Sequence, residues 1–153
     1  MSKSLHKAAY RVDLVSQHGL CEVNYARLLK LLPDFLEQDY YQLSVTHGGE
    51  HGEHASEVAV RVLQRAPYTT LISLGMRASW NQWVSLPELE VRLYHDVRMA
   101  EVVMAQNIRR FPFVTEYPNK HMLPPNEKDM LNQFLSELLS FCMRGGHIME
   151  RVL

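Results

Sequence analysis

The apolar residues in the first part of the chain recur every three or four positions. Over residues 13–32 they are Leu14, Val15, Val23, Ala26, Leu28, Leu29 and Leu32. This spacing predicts an amphipathic helix. Gly19 weakens its middle, so the segment is either one imperfect helix or two short ones. Pro33 should end it, because proline disfavours helical geometry in the residue before it.

In the middle of the chain the apolar period falls to two residues, which is typical of β-strands. Tyr41, Leu43 and Val45 alternate with polar residues, and so do the valines that follow in the next predicted strand. The predicted strands cover residues 40–46, 58–63, 68–74, 89–94 and 99–106. Short connections favour antiparallel neighbours. The pattern therefore predicts a meander-like antiparallel sheet of about five strands.

A second amphipathic helix is predicted toward the C-terminal end. Its apolar stripe consists of Met130, Leu131, Phe134, Leu135, Leu138, Phe141 and Cys142. Asn126 is the expected N-cap, and Gly145 and Gly146 supply a C-terminal stop. The order of helix, antiparallel sheet and helix predicts an α+β fold. We expect the N-terminal and C-terminal helices to cover one face of the sheet.

Length and composition are those of one globular domain spanning residues 1–153. The chain is 46% hydrophobic and 22% charged, and its net charge of -1 gives no general attraction to nucleic acid. No apolar run reaches the ~20 residues that cross a bilayer, and residues 1–7 lack the apolar core of a signal peptide. We therefore expect a cytoplasmic protein with no membrane association.

The chain lacks the short motifs that mark common enzyme and cofactor-binding families. It has no glycine-rich phosphate loop, nucleophile elbow or paired-cysteine metal motif, so no cofactor is expected. Its two cysteines, Cys21 and Cys142, lie on the two predicted helices. In a reducing compartment they are most simply buried thiols, and a disulfide joining the helices is the alternative.

Residues 91–102 combine strand patterning with many groups that titrate or bind anions. The candidate ligand-binding residues are Arg92, Tyr94, His95, Asp96, Arg98 and Glu101. An arginine offers a planar fork suited to phosphate or carboxylate, and His95 is a weak candidate for a general base. In a strand, His95 points to one face and Arg92 to the other. The structural alternative is that His95 bonds a backbone carbonyl and that Arg92 pairs with a nearby carboxylate.

Three histidines in a glycine-rich connector are weak metal candidates. Residues 47–54 are predicted to form a mobile hairpin loop, and His47, His51 and His54 are of a type that zinc prefers. Ordering so many glycines would cost binding energy, which favours adventitious metal affinity over a physiological site.

Two tryptophans, Trp80 and Trp83, lie in the predicted loop between the third and fourth strands. Tryptophans in a loop stack on bases or anchor a partner, but they also cap small cores. Tyr117, Asn119 and Lys120 are further polar candidates whose position the sequence does not fix.

With these residues in view, the chain resembles the YqiB-like family of uncharacterised bacterial proteins. The strings that carry the resemblance are Cys21-Glu22 with Asn24, Arg27-Leu28, Tyr68-Thr69-Thr70, Ser85-Leu86-Pro87, residues 91–96 and 100–102, Tyr117-Pro118-Asn119-Lys120, and Asn132-Gln133-Phe134-Leu135. Residues 47–54 depart from the family's pattern, which further weakens the metal hypothesis. The resemblance implies a cytoplasmic bacterial protein but no particular reaction.

The leading hypothesis is a small cytoplasmic binding or regulatory module, without catalysis of its own, that recognises an anionic small molecule or a protein partner. One alternative is an enzyme acting on a nucleotide or related phosphate ester, with His95 as general base and Arg92 stabilising charge. Another is a structural subunit of an oligomer or complex, which the eight methionines would suit.

Overall fold

A computed structural model describes residues 14–49, 52–78, 88–106 and 125–149. Within these ranges, two helices and six strands follow one another as α1 Leu14–Leu31, β1 Tyr40–Gly49, β2 Gly52–Arg65, β3 Thr69–Ala78, β4 Glu88–Tyr94, β5 Met99–Gln106, α2 Pro125–Gly145 and β6 Gly146–Met149. This is the predicted α+β arrangement of an antiparallel sheet between an N-terminal and a C-terminal helix.

The strands form one antiparallel sheet in the order β5-β4-β3-β2-β1-β6. The first five strands are neighbours in chain order, so the predicted meander is confirmed. The short β6 was not predicted. It begins directly after the glycine that ends α2 and pairs with β1, where Ile148 lies opposite Leu43. Four residues are too few to show an alternating pattern in the sequence.

The hydrophobic core lies between one face of the sheet and the two helices. Alternate positions of β1–β5 are buried on this helix-covered face, and they are Tyr41, Leu43, Val45, Val58, Val60, Ile72, Leu74, Leu89, Val91, Leu93, Ala100 and Val102. Leu28 of α1 and Leu135 of α2 are buried against them. Burying a side chain of this size contributes roughly 1.5–3 kcal/mol, so this layer fixes which face each strand residue takes. The opposite side is called the outer face below.

Helix α1 is continuous through Gly19, so the segment forms one helix and not two short ones. The chain leaves α1 at Pro33 and turns at Asp34, whose φ of 57° is left-handed. Helix α2 starts at Pro125, so Asn126 lies inside its first turn and the N-cap prediction is wrong. Proline is well suited to a first helical position because its missing N–H has no partner there anyway. Gly145 ends the helix as predicted.

The predicted loop over residues 47–54 is wrong in extent. Strand β1 continues to Gly49 and β2 begins at Gly52, so the ladder extends almost to the hairpin tip. His47 lies opposite His54 in the register.

Several candidates lie outside the described residues, namely His51, Trp80, Trp83, Tyr117, Asn119 and Lys120. Neither α1 nor α2 combines the length and apolar character that a membrane crossing requires.

Candidate functional site

The candidate residues belong to the hairpin of β4 and β5 and to the turn that joins these strands. In its register Leu93 lies opposite Ala100, Arg92 opposite Glu101 and Tyr94 opposite Met99. Leu93 and Ala100 are fully buried on the helix-covered face. Because successive strand residues face opposite ways, Arg92, Tyr94 and Glu101 belong to the outer face. The hairpin therefore divides the six candidates between two sides of the sheet.

The connecting turn, residues 95–98, is fixed by local contacts. Asp96 accepts a hydrogen bond from the backbone N–H of Val97 through Oδ1, at 3.0 Å. Arg98 has a left-handed φ of 57°, a conformation that few residues other than glycine adopt. The guanidinium of Arg98 lies over the ring of Tyr25 in α1, 5.4 Å from its centre. Asp96 and Arg98 are thus engaged within the turn and with α1, away from Arg92.

On the outer face, Glu101 is held by two partners. The Tyr94 hydroxyl donates a hydrogen bond of 2.7 Å to Glu101 Oε1, and Lys128 Nζ lies 3.2 Å from Glu101 Oε2. Lys128 comes from the start of α2 and reaches the edge strand β5. Burial and the neighbouring Glu101 raise the pKa of Tyr94, while the charge and hydrogen bonding of Arg92 oppose this rise. Arg92, Tyr94, Glu101 and Lys128 are called the outer-face group below.

Arg92 is half-buried and lies directly across the strands from Glu101. The ion pairs within the described parts of the chain are Arg65–Asp39 and Lys128–Glu101, and Arg92 takes part in neither. The expected pairing of Arg92 with a carboxylate is therefore not formed there, and the two oxygens of its cross-strand neighbour contact Tyr94 and Lys128 instead.

His95 lies on the other side of the sheet, at the end of β4. Its Nδ1 is 3.0 Å from the Tyr25 hydroxyl and its Nε2 is 2.7 Å from Thr70 Oγ1. Tyr25 and Thr70 are both buried. A neutral imidazole donates through one nitrogen and accepts through the other, and each hydroxyl can take either role. His95 thus joins α1 to β3 through two side-chain hydroxyls rather than through a backbone carbonyl.

The surroundings of His95 favour its neutral form. Burial lowers its pKa from the ordinary value, the positive charge of Arg65 lowers it further, and Asp96 opposes the change. The rings of Tyr25 and Phe35 pack against the imidazole, with ring centres 5.8 and 6.3 Å away. Because both ring nitrogens are engaged, the imidazole has no free nitrogen to accept a proton from a substrate.

Arg65, at the end of β2, fixes the segment that follows α1. Its Nη2 donates to the carbonyl oxygens of Phe35 and Gln38, at 2.8 and 2.6 Å. It also pairs with Asp39 at 3.2 Å and lies over the Phe35 ring. This arginine was not singled out from the sequence, where it is one basic residue at a predicted strand end. Its role depends on a chain reversal at Asp34 that the sequence pattern does not encode.

A pair of asparagines lies fully buried where α1, α2 and β5 meet. Asn24 Nδ2 donates to the backbone oxygen of Asn132 at 3.1 Å, and Asn132 Oδ1 accepts from the N–H of Val102 at 2.8 Å. The second bond satisfies a backbone donor on the edge strand β5. Sequence reasoning missed the pair, although Asn24 follows Cys21 and precedes Leu28 at helical spacing. A polar residue within an apolar stripe was the available signal.

The cysteines are free and buried, as the simpler interpretation predicted. Burial raises the pKa of both thiols, Cys21 and Cys142, to about 11, so neither is a reactive thiolate near neutral pH. Among residues whose side chains are described, no three histidine, cysteine or acidic groups are placed to hold a metal ion. The side chains of His47 and His54 lie outside that set, so the metal hypothesis stays a prediction.

The β4–β5 hairpin lies within the part of the chain that is similar to known proteins. The chain is 34% identical to "Uncharacterized protein YqiB" of Escherichia coli strain K12 over 137 residues, which cover 90% of this chain and 93% of the relative. The proteins of the same description from strains O6:H1 and O157:H7 match equally well. No solved structure matches significantly. Residues 27–148 match the model of the family described as "Protein of unknown function (DUF1249)", and the chain belongs to this family.

Proposed function

We propose that the protein is a small binding module that holds an anionic group against Arg92 on the outer face of the sheet. The observation that carries the proposal is that the two carboxylate oxygens of Glu101 contact the Tyr94 hydroxyl and Lys128 Nζ, not Arg92. The carboxylate opposite Arg92 is therefore already neutralised by another cation. An arginine in this position can direct its planar fork to a phosphate or carboxylate from outside.

The charge of the outer-face group supports the same proposal. Lys128 pairs with Glu101, and Arg92 forms no ion pair among the described residues, not even with Glu90 two positions earlier on the same face of β4. The backbone that carries the group is ordered before binding, since it belongs to paired strands and to the start of α2. A rigid site loses little side-chain entropy when a ligand binds.

The arrangement favours binding over the enzymatic alternative. A general base and a charge-stabilising arginine must reach the same substrate atoms, whereas Arg92 and His95 leave the sheet on opposite faces. His95 is also engaged at both ring nitrogens. The assignment of His95 as a general base stays a prediction, and the positions of Arg92 and His95 do not support it. We also propose that the protein is cytoplasmic.

The test is a titration of isotope-labelled protein with pyrophosphate and, separately, with citrate, followed by heteronuclear NMR. We expect the backbone amides of β4 and β5 to shift, and the stronger of the two probes to tell phosphate from carboxylate recognition. Arg92→Ala should weaken binding at least about tenfold, because a charge-assisted hydrogen bond contributes more than a neutral one. Arg61→Ala is the matched control on the same face.

Four results would contradict the proposal. Neither probe shifts the amides of β4 and β5, or Arg92→Ala binds as tightly as the wild type, or Arg61→Ala weakens binding by the same factor. If Arg92→Ala abolishes cooperative unfolding, Arg92 is structural and the proposal also fails.

Native mass spectrometry of untagged protein, before and after denaturation, should be run first, since it reveals a co-purified anion and counts the subunits.

A further inference from the structure

Three large apolar side chains are exposed on the connections at the end of the sheet where His95 lies. Leu36 is 73% exposed, Tyr68 69% and Val97 53%. They belong to three different connections, which are the segment after α1, the link between β2 and β3, and the turn between β4 and β5. We call Leu36, Tyr68 and Val97 the end surface. Exposed apolar residues that occur singly are ordinary, whereas exposed apolar residues concentrated at one end of a sheet are candidates for an interaction site.

Contacts between the connections bring the three residues to the same end. The N–H of His95 donates to the carbonyl oxygen of Tyr68 at 2.8 Å, which joins the β2–β3 link to the turn that contains Val97. The ring of Phe35, the residue before Leu36, packs against the ring of His95. The three connections that carry the end surface therefore meet near His95.

The connections are held firmly although they contain exposed apolar groups. Arg65 fixes the segment after α1 through two carbonyl oxygens and Asp39. The N–H of Val62 donates to the carbonyl oxygen of Asp39, and the N–H of Ala66 donates to that of Thr69, both at 2.8 Å. A surface that is ordered before binding avoids the entropy cost of ordering a loop. Exposed and fixed aromatic anchors are typical of the residues that dominate binding energy.

The charges around the end surface decide the kind of partner. The segments 34–39, 65–68 and 95–98 contain four carboxylates, Asp34, Glu37, Asp39 and Asp96, and two guanidiniums, Arg65 and Arg98. Four negative against two positive charges leave a net charge of -2 on these segments, or -1 when the exposed Lys30 in the last turn of α1 is included, with His95 held neutral. Complementary potentials steer association and reject partners of the wrong sign. We propose that the end surface binds a basic segment of another protein that packs apolar side chains against Leu36, Tyr68 and Val97.

The test uses two synthetic peptides of equal length, both amphipathic helices with leucine on one side. One carries lysine on its polar side and the other glutamate. We expect the lysine peptide to shift the NMR signals of residues 35–37, 68 and 96–98, and the glutamate peptide to leave them unchanged. Tyr68→Ala and Leu36→Ala should each weaken binding by about tenfold, as truncation of an interface anchor typically does.

Matched controls separate this surface from general attraction. Met130, on α2, is 50% exposed, and Met130→Ala should leave binding of the lysine peptide unchanged. Glu37→Lys should weaken it, whereas Glu22→Lys, on the exposed side of α1, should not. Both residues are exposed, so neither charge reversal should affect folding. The anion site at Arg92 uses other residues, so each proposal can fail without the other.

Several outcomes would overturn the inference. The lysine and glutamate peptides bind equally, neither shifts the named signals, or Met130→Ala weakens binding as much as Tyr68→Ala. Light scattering can give a fourth outcome that would overturn the inference. If the purified protein is a dimer that Tyr68→Ala separates into monomers, the end surface is occupied by a second copy of this chain rather than by a basic partner.

Discussion

The polar side chains on the two sides of the β4–β5 hairpin differ in how many of them have hydrogen-bond or ion-pair partners within the protein. On the helix-covered side, both nitrogens of His95 bind hydroxyls, and Arg98 lies over the ring of Tyr25. On the outer face, Tyr94 and Lys128 satisfy Glu101 and leave Arg92 outside the described ion pairs. Polar groups whose hydrogen bonds are made within the protein stabilise the fold. A group on an ordered backbone that still has free hydrogen-bond donors can recognise a ligand.

Removing the imidazole should produce the largest effect. We expect His95→Ala to lower the free energy of unfolding by about 2–3 kcal/mol, because it strips a hydrogen-bond partner from two buried hydroxyls and leaves a gap beside Phe35. Arg92→Ala, on the opposite face of the same strand pair, should change it by no more than about 0.5 kcal/mol. Urea unfolding of both variants measures the difference. Equal losses would show that the two sides do not differ.

A smaller effect should follow from removing one hydroxyl. Tyr25→Phe keeps the ring that packs on His95 and removes the group 3.0 Å from Nδ1, so we expect a loss of about 1 kcal/mol. Tyr68→Phe is the matched control, because its side chain is exposed and the structure assigns its hydroxyl no partner among the described residues. A Tyr25→Phe protein as stable as Tyr68→Phe would mean that this hydrogen bond contributes nothing to the fold.

The hairpin also shows what the sequence could predict about the fold and the site. Alternation placed Arg92 and Tyr94 on the face opposite Leu93, and the bounds of β5 were predicted as the structure has them. The partners could not be predicted in the same way. Thr70 and Tyr25 are 25 and 70 residues from His95, and periodicity carries no information about which distant elements pack together.

Other failures arose where chain geometry overrides local composition. The glycines and histidines of residues 47–54 are typical of a loop, yet the β1–β2 ladder extends over most of them because the strands on either side are already paired. Strand β6 forms only because the end of α2 delivers it to the free edge of β1. Both features depend on a neighbouring strand, which a single-segment pattern does not describe.

A pH dependence should sharpen the description of the helix-covered side. The pKa of His95 is lowered in the folded protein, chiefly by burial and then by Arg65, while Asp96 opposes the change. The unfolded chain therefore binds more protons than the folded one as pH falls below the ordinary value of 6.5. Stability should be complete above that pH and should fall as the pH is lowered through 6.5 toward the folded pKa.

Urea unfolding across this interval checks the sign, and His95→Asn supplies the control. Asparagine does not titrate, so the variant should be less stable throughout but should lose less stability on acidification than the wild type. Arg65 and Asp96, the charged groups that act on the imidazole, are present in both proteins, so their own contributions are retained. An unchanged pH slope in His95→Asn would show that His95 is not the group responsible.

The smallest effect concerns the outer face, and its sign is more informative than its size. Burial and Glu101 raise the pKa of Tyr94 above its ordinary value of 10.0, and Arg92 opposes them. Glu101→Gln keeps an oxygen to accept the Tyr94 hydrogen bond but removes the negative charge, so it should lower the pKa of Tyr94. Arg92→Ala removes the opposing charge and should raise it.

Tyrosine ring-carbon NMR shifts followed through alkaline pH distinguish Tyr94 from the six other tyrosines. Opposite displacements in the two variants would establish that Arg92 and Glu101 both act on the same hydroxyl, as an anion site centred on Arg92 requires. A ligand bound at Arg92 would cancel part of its positive charge, so pyrophosphate should raise the pKa of Tyr94 in the wild type but not in Arg92→Ala. If pyrophosphate binds and leaves this pKa unchanged, the anion lies elsewhere and the outer face is no more a recognition surface than the helix-covered side.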